Sequence, residues 1–163
     1  WYCIHPSESS KNGDIASNGQ FTVTITVDVD ATNVTVKSGA ASATYYVLVW
    51  AETPGFSRFA SWLGNANADG PFIYCGFRPS LIIVKGSSET IGWLIHSTSQ
   101  ATYNPTSQQL FMDLPNAAGT LVGLDILSNG FKVRSSSGEW NNSAKKYVFM
   151  AWAENPFPRS KAR

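Results

Sequence analysis

The sequence predicts an all-β protein made of antiparallel β-sandwich-like modules, one complete copy and one partial. Three observations carry that prediction. Strand-length runs alternate apolar and polar residues with period two, which puts one set of side chains on a core face and the other in water. Turn-forming residues separate these runs, and no window of helix length sustains a 3.6-residue period. A long tract also recurs. Tyr45-Tyr46-Val47-Leu48-Val49-Trp50-Ala51-Glu52-Thr53-Pro54 is matched by Tyr147-Val148-Phe149-Met150-Ala151-Trp152-Ala153-Glu154-Asn155-Pro156.

The clearest strand is residues 21–30. Phe21, Val23, Ile25, Val27 and Val29 alternate with Thr22, Thr24, Thr26, Asp28 and Asp30. After the turn Asp30-Ala31-Thr32-Asn33, residues 34–38 form a short strand. Residues 45–52 are apolar on both faces and predict a central strand covered on two sides, as does their copy 147–154. Further strands are expected at 72–75, 81–85, 93–96, 110–113, 122–127 and 131–135. Asn129-Gly130 lies between two such runs; both residues tolerate positive φ, so a tight hairpin is expected there.

The repeat sets the domain reading. Val34-Thr35-Val36-Lys37-Ser38 lines up with Phe131-Lys132-Val133-Arg134-Ser135, and Trp1-Tyr2-Cys3-Ile4-His5 loosely with Trp93-Leu94-Ile95-His96. Residues 61–92 have no counterpart upstream. Residues 1–56 are therefore read as the C-terminal part of a first module, 57–157 as a complete second module, and 158–163 as a mobile basic tail. Opening on Trp1 within a unit, the chain is expected to be a piece of a longer or processed one.

Composition narrows the function. The net charge is +1, too balanced to favour nucleic acid or an anionic membrane as partner. Only 14% of residues are charged, against roughly 25% in an average domain. Ser, Thr, Asn and Gly take their place, which suits polar, uncharged contacts. No apolar run approaches the roughly 20 residues that span a bilayer, so no membrane insertion is expected. Cys3 and Cys75 are too few for a disulfide framework or a structural zinc site and read as buried thiols, though a bridge between them stays open.

Catalytic patterns are sparse. His5 and His96 occupy equivalent repeat positions; either is a base or ligand, or a strand-end residue inherited by duplication, and no Cys, Asp or Glu stands at ligand spacing from them. Glu52 and Glu154 close the two copies of one strand. Separate modules do not place two carboxylates across one cleft, so each reads as an acceptor for a neighbouring turn. Residues 63–70 contain glycines but lack the Lys-Ser/Thr ending of a phosphate loop. No catalytic residue, metal or cofactor is expected, and the chain is read as a non-enzyme.

Twenty-one aromatics remain to be placed: six Trp, six Tyr and nine Phe. The repeat-matched Trp50, Trp152, Phe56 and Phe157 are expected in core or junction packing. Trp140 in the polar run 136–142 has no upstream partner. An aromatic in such a loop stacks on a sugar while Asn141 and Asn142 bond its hydroxyls, or folds back on its own sheet. Tyr103 and Asn104 form a similar pair. These five residues are the receptor-binding candidates.

Ala68-Asp69-Gly70-Pro71-Phe72-Ile73-Tyr74-Cys75-Gly76-Phe77-Arg78-Pro79, Leu127-Ser128-Asn129-Gly130-Phe131-Lys132-Val133-Arg134 and Ala151-Trp152-Ala153-Glu154-Asn155-Pro156-Phe157 resemble the repeated module of tailed-bacteriophage tail-fibre and tail-associated virion proteins. Cys75 stands where that module more usually has a hydroxyl residue. The resemblance implies a structural, adhesive component on the phage particle, assembled as a homotrimer with other virion proteins and binding host cell-surface glycans. The alternatives are a capsid decoration protein or head fibre, and a polysaccharide-degrading tailspike, for which the carboxylates of residues 57–157 are few.

Overall fold

A computed structural model describes residues 50–120 and 123–156 together with four strand segments nearer the N-terminus. Those segments are β1 (Tyr2–Cys3), β2 (Gly13–Asp14), β3 (Thr26–Val29) and β4 (Val34–Lys37), paired antiparallel as β1–β2 and β3–β4. β3 and β4 fall within the strands expected at 21–30 and 34–38; residues 21–25 and most of the 45–52 tract lie outside the described residues. The part of that tract that is described, residues 50–52, is irregular rather than extended into a strand, and Trp50 is 52% exposed instead of packed.

The remaining elements are β5 (Ser57–Leu63), β6 (Phe72–Tyr74), β7 (Pro79–Gly86), β8 (Leu94–Ser97), β9 (Leu110–Phe111), β10 (Leu124–Leu127), β11 (Gly130–Val133), the four-residue helix α1 (Gly138–Asn141) and β12 (Lys146–Ala153). They form a five-stranded sheet in the order β5-β12-β7-β8-β9 and a three-stranded sheet in the order β10-β11-β6, both antiparallel. The chain passes between the sheets after β5, β6, β9 and β11, as a sandwich requires.

One core joins the two layers. Trp62, Ile82, Val84, Leu94, Tyr147 and Phe149 come from the larger sheet; Ile73, Leu124, Ile126, Phe131 and Val133 come from the smaller. Phe131 and Phe149 meet edge to face at 5.2 Å, and Trp62 stacks on Tyr147 at the same separation. Burying this area is the main stabilising term, at about 25 cal/mol per Å² of apolar surface. β12 is central, as expected, with Tyr147, Phe149 and Ala151 in this core. On its other face Val148 is buried with Trp93 against Ile83 and Met150.

β5 was not legible as a strand. Ser57-Arg58-Phe59-Ala60-Ser61-Trp62-Leu63 does not alternate, because both faces of this edge strand carry apolar side chains. It begins at a turn in which Phe56 N–H donates to Thr53 C=O at 3.0 Å, with Gly55 at φ +75° after Pro54. Glu52 accepts from Phe59 N–H and pairs with Arg58; Glu154 pairs with Arg78 at 2.8 Å. Glu52 thus braces the backbone of β5 rather than a turn, and the Glu154 carboxylate meets the Arg78 side chain instead of backbone, so the turn-acceptor role expected of both is not what the structure shows.

The hairpin at Asn129-Gly130 is present, with a different cause. Leu127 pairs with Gly130, so the two loop residues are Ser128 and Asn129. The positive-φ residues among those described are Gly55, Ala66, Gly76 and Ala144. Gly130 is instead required by close approach: a Cβ there would strike the Ile73 carbonyl oxygen on β6.

Candidate functional site

Tyr103 stands on the segment that leaves β8. Ser97 starts the turn, its carbonyl accepting from Gln100 and Ala101 N–H at 3.1 Å and its hydroxyl from Ser99 N–H. The chain then runs along the free edge of β10. Thr106 N–H donates to Leu124 C=O at 2.7 Å, and Gly123 N–H returns to Thr106 C=O. Asn104 spans Ile126: its Nδ2 donates to the Ile126 carbonyl and its Oδ1 accepts the Ile126 N–H, both at 2.8 Å. The side-chain amide thereby imitates a strand partner and closes an edge that would otherwise be open.

That geometry separates the two residues expected to act together. Asn104 turns its amide to its own sheet, and its contribution is to fix the loop. Tyr103 projects outward, 85% exposed. It borders an open depression of about 290 Å³ lined by Gln100, Ala101, Thr102, Tyr103, Pro105, Ser107 and Gln108. No charged side chain lines it.

Trp140, Asn141 and Asn142 do not form a solvent-facing loop, which corrects the expectation for residues 136–142. Ser137 caps α1, its hydroxyl accepting from Glu139 N–H. The helix turns Trp140 into the core, where it is fully buried and donates Nε1–H to Gln109 Oε1 at 3.2 Å. A sugar has no access to that ring. Asn141 is also fully buried: its Oδ1 accepts from Asn65 N–H, and its Nδ2 donates to Asn65 Oδ1 and Asn67 C=O, all within 2.8 Å. It staples the loop 64–70. Asn142 alone is exposed, with its amide on Glu89 at 2.9 Å. A short polar run gives no sign that its one large aromatic and one of its amides have partners far away in the chain.

His96 lies beneath Trp140, ring centroids 4.8 Å apart. Thr106 donates its hydroxyl proton to Leu124 C=O at 3.0 Å, so its oxygen accepts from His96 Nδ1 at 3.1 Å. The neutral ring then leaves a lone pair on Nε2, which is buried without a hydrogen-bond partner. Burial pushes the imidazole down to about 4; the nearby Gln109 amide opposes this without satisfying Nε2. Two other reactive groups are equally enclosed. Cys75 is a free thiol pushed up to about 12, chiefly by burial. Lys85 donates to the Ile91 carbonyl, and burial lowers it to about 8 against the opposing charge of Asp113. Among the described residues no cluster of three His, Cys, Asp or Glu could hold a metal ion, and no helix is long and apolar enough to cross a membrane.

A second aromatic surface lies on the smaller sheet, where sequence reasoning had marked only a strand. Phe72 and Tyr74 flank buried Ile73 and are 46% and 64% exposed. Beside them Lys132 pairs with Asp69 at 2.6 Å, and Arg134 reaches both Asp69 and Asp125. The Lys132 hydrogen bond and charge hold the Asp69 carboxyl below its usual range. The signal was weak because Phe72-Ile73-Tyr74 is apolar at all three positions, so no polar contrast marks the outer face.

Two antiparallel sheets closed over one apolar core define residues 57–153 as a β-sandwich-like unit. A family model matches residues 5–156, running across position 56, and the chain belongs to that family, described as Domain of unknown function (DUF7483). No curated protein and no solved structure gives a significant match.

Proposed function

We propose that this chain is a module of a bacteriophage tail fibre or tail-associated protein, carried on the virion surface, that holds host cell-surface glycans without catalysing a reaction. The observation that carries this reading is Tyr103, a nearly bare ring fixed at the rim of a depression lined by neutral amides and hydroxyls. An aromatic face takes the apolar side of a sugar ring, and Gln and Ser side chains bond its hydroxyls. Bonds from Asn104 and Thr106 to β10 hold the loop in advance, so little ordering entropy is lost on binding. Each such contact is weak. Presentation of several copies in a homotrimer, alongside other virion proteins, raises avidity.

A glycan array and a host-cell binding assay with Tyr103→Ala test the reading. Binding is expected to fall at least about tenfold, equivalent to about 1.4 kcal/mol, while the melting temperature stays unchanged because the ring makes little contact with the fold. Undiminished binding by the variant would remove this loop from the account.

A further inference from the structure

Among the described residues, one edge of the smaller sheet has no neighbouring strand. Pro71 C=O accepts from Val133 N–H at 3.0 Å, and Cys75 N–H donates to Asn129 C=O at 2.9 Å. Ile73 stands opposite Phe131, midway between these bonds. Alternate residues of an antiparallel strand bond to the same neighbour. The N–H and C=O groups of Phe72 and Tyr74 therefore point away from β11. Among the described residues no strand lies beyond β6 in this sheet. Proteins ordinarily protect such an edge with charge, a bulge or a covering segment. Here both outward-bonding positions carry exposed, neutral aromatics, while Asp69, Lys132, Arg134 and Asp125 are engaged with one another.

We propose that β6 pairs antiparallel with β6 of a second copy of this chain, about a two-fold axis through Ile73. Phe72 of each copy then faces Tyr74 of the other and exchanges two N–H···O bonds with it, making four in all. The two donors and two acceptors complement themselves, as an isologous contact demands. The same register sets Phe beside Tyr across the junction on one face, a favourable cross-strand pair. Asp69 at one end is held by Lys132 and Arg134 and Arg78 at the other by Glu154, so no unpaired charge at either end opposes the approach of a second copy. Two three-stranded sheets become one of six strands. The contact needs no glycan and adds to any threefold assembly rather than replacing it.

Sedimentation equilibrium of the full chain tests this with two variants. The Tyr74 N–H takes no part in its own sheet, so Tyr74→Pro deletes only the outward donor and obstructs a partner strand. Tyr74→Lys keeps the backbone and adds the charge that normally guards an edge. The wild type is expected to have twice the mass of either folded variant, whatever the order of further assembly, with thermal midpoints alike. Equal masses for the wild type and a folded variant would overturn the proposal, including the case in which all are monomers.

Discussion

Acid should weaken this fold through one imidazole. His96 titrates near 6.5 when unfolded and about 4 when folded. Its folded value is depressed, so the unfolded chain binds the proton more tightly. The associated stability is fully present above the unfolded value and is lost as pH falls toward the folded one. At about 1.4 kcal/mol per unit, the shift corresponds to about 3 kcal/mol lost by pH ~4. The structure gives the reason: an added Nε2 proton would be buried, with Thr106 already facing Nδ1, Trp140 and Gly123 packed against the rest of the ring, and the nearby Gln109 oxygen, which only partly offsets the cost, already accepting from Trp140. Urea unfolding of the wild type and His96→Gln, compared at pH ~7 and pH ~4, isolates this contribution because the carboxylates are common to both. The wild type should lose about 3 kcal/mol more than the variant over that interval. An identical loss in both proteins would show that the ring is hydrated or meets an acceptor, and the buried geometry would be wrong.

Two further outcomes follow from the corrected region 136–142. Trp140→Ala should cost about 3–5 kcal/mol in thermal or urea unfolding, from lost packing and a cavity between the sheets. Glycan binding by the folded variant should be unchanged; wild-type stability with binding abolished would return Trp140 to the surface. Asn141→Ala should cost about 2–4 kcal/mol, because the Asn65 N–H and Asn67 C=O lose their buried partner. Hydrogen exchange at Asn65 should accelerate, and unaltered exchange there would refute the stapling role.

The strands were legible where burial leaves a local trace. Residues 147–154 announced a central strand because both faces are apolar, and β12 is flanked by β5 and β7. The turn after Leu127 was marked by Asn and Gly, although Gly130 proved necessary for its approach to β6 rather than for its φ. The candidate site was legible only in part. Tyr103 is exposed, one of its two readings, but the exposed Asn104 gives its amide to Ile126 and Trp140 went into the core. Their fates depend on partners 22 and 31 positions away in the chain, at Ile126 and Gln109. Phe72 and Tyr74 were legible only as part of a strand, because hydrophobicity alone cannot say which side of an edge strand faces solvent.

By itself the sequence determined the all-β class, strands such as β3, β4 and β12, and the shortage of charge, because each is a local or compositional property. The tertiary structure decided which aromatic rings are seen from outside and which polar groups are sealed within. That choice arises when two sheets close on each other: the side chain that fills the gap is buried, and the one beyond the rim is left in solvent.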